Sequence, residues 1–217
     1  MSTSEDLRLT VSDVWDRVVN HKFVTELGLG TLPSHIFNDY FDQDYLFLKD
    51  WAILLGMAAV KSPDFDSSRQ VVGFLHLGLG GEEGLFQTAF EERGLDQSLI
   101  SGLKYLPDTF SYSGYLRTCA YEGSFIDVIV TLLAVEWPYL AWAERLFNAG
   151  MRPDNYYYQT WIDIHVSDGM YCFVNWMIQT VDNHIFTDLE LQRAEQIFAN
   201  VLRYEEIFFD MCYKDET

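Results

Sequence analysis

The most apolar stretch of the chain, Ser124 to Ala143, carries two carboxylates within it, Asp127 and Glu136. Gly123 and Ser124 read as a helix start, and Asp127 falls where its side chain closes a capping box on Ser124. Glu136 has no such local task. At helical spacing its neighbours are Ile129, Leu132, Leu133, Tyr139 and Leu140, an unbroken apolar face. An unpaired carboxylate on that face is costly or takes up a proton. Pro138 lacks an N–H for the carbonyl of Ala134, so a bend beside Glu136 and a freed backbone acceptor are expected. Glu136 is then either a buried acid paired with an Arg or Tyr from another helix, or an acid or base in a pocket. The second reading is preferred.

The same periodicity runs through the whole chain, with no convincing alternating strand pattern. It predicts helices over about 12–27, from Pro33 to about 61, and a third ending near Gly94. A short helix over 98–104 follows, then helices over about 108–121, 124–148, 154–182 and 187–213, the last opened by a second capping box, Thr187 to Glu190. Gly78-Leu-Gly-Gly81 is expected to thin or kink the third helix and to suit a close crossing. With no linker, repeat or low-complexity stretch, residues 1–217 read as one all-α domain, a bundle of seven to eight helices.

Two more helices point one acid into an apolar stripe. Asp44 shares its face with Phe41, Phe47, Leu48 and Trp51, and Glu205 with Phe198, Val201, Leu202, Phe208 and Phe209. One buried acid is commonplace, whereas three on separate helices suggest a shared polar pocket. Convergent carboxylates ringed by Tyr and Trp suit a small polar ligand and push one another's pKa values apart.

Composition narrows the chemistry. With 33 acidic against 14 basic residues, the net charge of −19 argues against a nucleic-acid or anionic-membrane partner. Cys119, Cys172 and Cys212 are widely spaced and odd in number, so they read as reduced thiols in the cytoplasm. The polar, acidic N-terminus shows no signal peptide, and Asp127, Glu136 and Pro138 make 125–142 a core helix rather than a membrane span. A di-iron bundle needs Glu-x-x-His pairs, but Glu82-Glu83 is followed by Phe86-Gln87, and the five histidines show no metal spacing. Haem ligation by one of them is disfavoured. Gly78 to Gly81 lacks the Lys-Ser/Thr of a phosphate loop, and Gly-x-Ser-x-Gly is absent. Neither a metal nor a cofactor is expected.

An ordered set of segments completes the sequence picture: His21-Lys-Phe-Val, Gly30-Thr-Leu, Phe41 to Leu48, Ser111-Tyr112-Ser, Gly123-Ser-Phe125, Leu133 to Tyr139, and Tyr204-Glu205. Together they resemble the TenA/thiaminase II family over nearly the whole chain. The resemblance implies a haem-oxygenase-like all-helical fold without haem, a homotetramer, and hydrolysis of degraded thiamin pyrimidines, in which the amino group of aminomethylpyrimidine is replaced by hydroxyl. Some members also split thiamin. It further implies that Asp44 binds the pyrimidine's amino edge, Tyr112 lines the ring and Glu205 is the acid/base. Phe47 stands at a second aromatic contact, His165 at the place of a later Tyr, and Tyr139 in the matching block joins the substrate-binding set.

The thiolate nucleophile of the better-known subfamily belongs to a Leu-Leu-Pro-Cys block, where this chain reads Leu132-Leu-Ala-Val135-Glu136. That resembles the cysteine-less subfamily, in which a glutamate takes over and plant members act on formylamino- and aminopyrimidine. Glu136 then either activates water or attacks and forms an ester. Two competitors stand beside the hydrolase: a non-catalytic pyrimidine-binding protein, and a regulatory protein on the same fold. The absence of a basic reading helix argues against direct DNA binding.

Overall fold

The computed structural model describes residues 2–216. Among these, eleven α-helices are followed by a closing 3-10 helix, Met211–Glu216, and no strand occurs. Three short helices lead the chain: α1 (Thr3–Thr10), α2 (Ser12–Val19) and α3 (Lys22–Leu29). Two long ones follow, α4 (Ser34–Lys61) and α5 (Phe65–Glu92), then the short α6 (Gln97–Ser101) and α7 (Pro107–Glu122). The remainder are α8 (Phe125–Asn148), α9 (Tyr156–His165), α10 (Asp168–Asn183) and α11 (Asp188–Asp210).

Helix α8 is apolar all round, and a helix of that kind must sit inside the others. Every residue from Ile126 to Glu136 is buried, with α4, α10 and α11 packed against it. By length and composition α8 is apolar enough to cross a membrane, but 83% of its most apolar window lies inside the bundle, so it is the core helix. Its start is fixed as the sequence implied: Ser124 Oγ accepts from the Asp127 N–H at 3.3 Å, and Asp127 Oδ2 accepts from the Ser124 N–H at 2.7 Å. The Thr187–Glu190 box at the head of α11 has the same two bonds. The helix runs on through Pro138 to Asn148.

Helix boundaries depart from the periodicity in three places. The expected 12–27 helix breaks into α2 and α3 because Asn20 bonds back to the Asp16 carbonyl at 3.0 Å. His21 then caps the next helix, its Nδ1 accepting from the Phe23 N–H at 3.1 Å. The 154–182 helix breaks at Val166, after which Ser167 caps α10 by accepting from the Met170 N–H. Helix α1 was not expected: its sequence is mostly polar, and it is held by tertiary contacts. Leu7 is buried, and the Ser4 N–H donates to Asp182 at 2.8 Å.

Two clamps set the register of α4. Gln43 donates to the Lys104 carbonyl at 3.1 Å and accepts from the Leu106 N–H at 2.9 Å. One turn beyond Phe47, the fully buried Asp50 carboxylate accepts from Arg117 Nε at 2.6 Å and from the Tyr105 hydroxyl at 3.0 Å. Asp44 and Phe47 lie between these clamps, so their direction into the bundle is fixed from both sides.

Removing the cation leaves the buried Asp50 charge to the Tyr105 hydroxyl. Arg117→Met should therefore lower unfolding free energy by about 2 kcal/mol, read from urea unfolding at neutral pH. A midpoint equal to that of the parent protein would show that the clamp carries no stability.

Candidate active site

Six helices enclose a cavity of about 290 Å³ in the middle of the bundle. Helix α4 supplies Asp44, Phe47 and Trp51, and α8 supplies Val135, Glu136 and Tyr139. Trp161 and His165 come from α9 and Glu205 from α11, while α5 and α10 close the apolar side with Phe74, Leu77 and Met170. The three acids singled out in the sequence thus meet in one chamber. Asp44, Glu136 and Glu205 are 8%, 6% and 2% exposed, so all are withdrawn from bulk water.

Each acid has its own surroundings. Glu136 Oε1 accepts from the Trp51 indole N–H at 2.5 Å. This partner is neither the Arg nor the Tyr expected of a structural acid. Burial pushes the Glu136 carboxyl up to about 7, and the indole N–H pulls the other way. Glu205 accepts from the Tyr112 hydroxyl and is hydrogen-bonded by Tyr139. Burial pushes it up to about 8 against those bonds, with the nearby Glu136 charge adding to the rise. Asp44 is pushed well above the ordinary carboxylate range, first by burial and then by the charges of Glu205 and Glu136. Near neutral pH the chamber therefore holds both protonated and ionised carboxyls, the condition for paired acid and base chemistry.

The tyrosines and His165 set proton positions. Tyr40 and Tyr139 join their hydroxyls at 3.0 Å, so a Tyr139 that donates to Glu205 receives its own hydrogen bond from Tyr40. His165 donates from Nδ1 to the Trp161 carbonyl at 2.7 Å, which leaves Nε2 as an acceptor. Burial depresses its pKa to about 4, so the ring is neutral.

Asp44, Phe47, Glu136, Tyr139, His165 and Glu205 all line the chamber. Tyr112, expected against the ring of a ligand, does not. It stands behind Glu205, 1% exposed, stacked on Tyr204 at 5.1 Å. Its pKa is raised well above the ordinary value by burial and the Glu205 charge, which keeps it a donor to that acid. Cys119 and Cys212 are buried elsewhere, Cys172 is exposed, and no cysteine is among the described lining residues. No three His, Cys, Asp or Glu side chains among the described residues are grouped closely enough to hold a metal ion.

Sequence reasoning gave no site role to Trp51, Phe74, Trp161 or Met170. Trp51 alone left a signal, two turns beyond Asp44 on the same helical face. Gly78 left another: the expected close crossing exists, because a methyl there would overlap Cη2 of Trp51 and lie 2.9 Å from its Cζ3.

A helical bundle wrapped around a cavity of convergent acids and aromatic rings defines a class. A domain of unknown function with a heme oxygenase-like fold from Shewanella denitrificans superposes with a TM-score of 0.75 at 16% identity, covering 98% of this chain and 92% of that one. A TenA homologue protein from P. horikoshii superposes with a TM-score of 0.88 at 20% identity, covering 99% of both chains. These likenesses show the haem-oxygenase-like fold. The chain belongs to the TENA/THI-4/PQQC family, whose model matches residues 9–215. It is 28% identical to an aminopyrimidine aminohydrolase of Halalkalibacterium halodurans, over 99% of this chain and 97% of the relative.

The raised pKa values make ionisation oppose folding. Both acids contribute their full stability below the ordinary value of 4.5, and it is lost as pH rises through about 7 for Glu136 and about 8 for Glu205. Glu136→Gln keeps an acceptor for Trp51 but cannot ionise. It should unfold at higher temperature than the parent protein at about pH 9, by an amount equivalent to roughly 3 kcal/mol, and show no gain at about pH 4. A pH-independent difference in thermal melts would show that Glu136 ionises normally.

Proposed function

We propose that the protein is a thiamin-pyrimidine salvage hydrolase. It replaces the amino group on the methylene arm of aminomethylpyrimidine with hydroxyl, and the formylamino precursor first loses its formyl group as formate to a separate water. The observation that carries this reading is the meeting of Asp44, Glu136 and Glu205 in one buried, aromatic-walled chamber. Family membership and the aminopyrimidine aminohydrolase relative support the same chemistry.

In this reading Asp44 binds the amino edge of the ring. That edge offers one acceptor, the ring nitrogen, beside one donor, the amino group. A carboxyl kept neutral by burial offers the complementary pair, O–H and C=O, and so forms two hydrogen bonds. Phe47 and Tyr139 flank the ring, and His165 Nε2 accepts a further N–H. Glu136 takes a proton from a water whose oxygen bonds to the exocyclic carbon. Glu205 gives its proton to the departing nitrogen, which leaves as ammonia. One C–N bond breaks and one C–O bond forms, and the proton from water replaces, in the carboxyl pool, the proton carried off.

We assign the protein to the cysteine-less glutamate subtype. Val135 and Glu136 both line the chamber and no cysteine is among its described residues, which supports a carboxylate and water in place of a thiolate. A cytoplasmic location and a homotetrameric state belong to the same proposal. The exposed Phe65, Val60 and Val72 side chains are apolar surface that further copies would cover, and light scattering on the purified protein would give the subunit number.

The deciding experiment incubates the pure protein with aminomethylpyrimidine, its formylamino derivative and thiamin, and identifies products by mass. Hydroxymethylpyrimidine is expected from one of the first two, and tight binding without any product would make the protein a pyrimidine binder instead. Glu205→Gln should lower turnover on the order of 100-fold, because the amide fills the same space without a proton to give. Replacing Cys119, Cys172 and Cys212 together by Ser should leave turnover within about twofold, as expected of thiols outside the reacting groups. Loss of activity in a folded triple variant would return the reaction to a thiolate.

A further inference from the structure

Glu136 sits on a helix that offers it no local partner, and its orientation is set from α4. Among the described residues, its hydrogen bond is the one from Trp51 Nε1 to Oε1, at 2.5 Å. An indole N–H can only donate, so Oε1 must accept from it whether or not Glu136 is ionised. The proton of the neutral acid, and the lone pair that takes a proton from water, are therefore assigned to Oε2.

The indole itself is held by packing. Gly78 of α5 lies under its six-membered ring, so closely that a Cβ would overlap Cη2. The Phe74 ring meets Trp51 edge-on, 5.7 Å between centroids at 61°, and is itself stacked on Phe173 of α10 at 4.0 Å. A glycine in a helix interior is less favourable than alanine, and here it leaves the space a tryptophan needs to reach across the chamber.

We propose that Trp51 is a positioning residue that fixes Glu136 with Oε2 toward the substrate, and that Gly78 is the packing condition for it. The indole supplies no group to the substrate's bonds. It selects one oxygen of the base and holds it still. The other titratable groups facing Glu136 are Asp44 on α4, Tyr112 on α7, Tyr139 on α8, His165 on α9 and Glu205 on α11. Helices α5 and α10 bring uncharged side chains to the lining, and α2 and α3 meet α8 away from the chamber. Substitutions at positions 51 and 78 thus leave every other charge in place.

The kinetic arm of the test rests on the hydrolase reading, and a spectroscopic arm does not. Trp51→Phe removes the N–H and keeps an aromatic ring. The bond it removes lowers the Glu136 pKa, so the acid limb of the kcat/KM profile should move up, on the order of one pH unit, with kcat down on the order of 10-fold. Gly78→Ala should act in the same direction by displacing the indole. The double variant separates position from packing. The methyl that Gly78→Ala adds fills space that the shorter ring vacates, so thermal stability should recover while the shifted limb stays. The protonated-carboxyl infrared band of Glu136, assigned by its absence in Glu136→Gln, should titrate at higher pH in Trp51→Phe even if no pyrimidine is hydrolysed. A Glu136 band titrating at the parent pH in Trp51→Phe would overturn the proposal. So would a double variant that regains both stability and the parent pH profile, since Trp51 would then be wall and nothing more.

Discussion

Removal of three carboxyl groups from water into one chamber is the constraint on which the rest of the structure depends. Asp44, Glu136 and Glu205 repel one another once ionised, and the low-dielectric surroundings leave little to screen them. The protein answers with neutral donors rather than cations. Tyr112 and Tyr139 hold Glu205 and the Trp51 indole holds Glu136, and none of them cancels a charge. The acids consequently stay within reach of protonation near neutral pH, where a guanidinium partner would have locked them ionised. Asp50 is held differently. That acid is equally buried, but Arg117 pairs with it, and it serves the register of α4 rather than chemistry.

Holding acids in this way costs stability, and the surrounding bundle offsets it. Helix α8 carries Glu136 through the middle of the core, and α4 is pinned on both sides of Asp44 by Gln43 and Asp50. Rigid elements, rather than loops, thus present all three acids. The apolar side of the chamber, from Phe74 to Met170, adds no charge. A small heteroaromatic ring with one polar edge matches that division between acid floor and apolar wall.

Much of this was legible in the residues alone. Apolar faces interrupted by a single acid on each of three helices marked Asp44, Glu136 and Glu205, because helical spacing decides which neighbours a side chain has. Both capping boxes, at Ser124 and Thr187, were readable for the same reason: the interacting groups lie within one turn. Fold class followed from the absence of any alternating pattern, and the ordered family segments pointed to the haem-oxygenase-like bundle that the structural likenesses share.

What tertiary structure alone decided were the contacts between distant elements. No local rule places Trp51 on Glu136, since the two are brought together only when α4 crosses α8 with α5 close beside it. Tyr112 looked like a wall of the chamber, but the approach of α7 to α11 turns its hydroxyl onto Glu205 instead. Helix α1 escaped the periodicity because its stability comes from docking Leu7, and the breaks near Asn20 and Ser167 escaped it because short side-chain caps outcompete helix continuation there. Sequence by itself determined which residues share a helical face. Which faces meet, and hence that Trp51 holds Glu136 and Tyr112 holds Glu205, was fixed by packing between elements far apart in the chain.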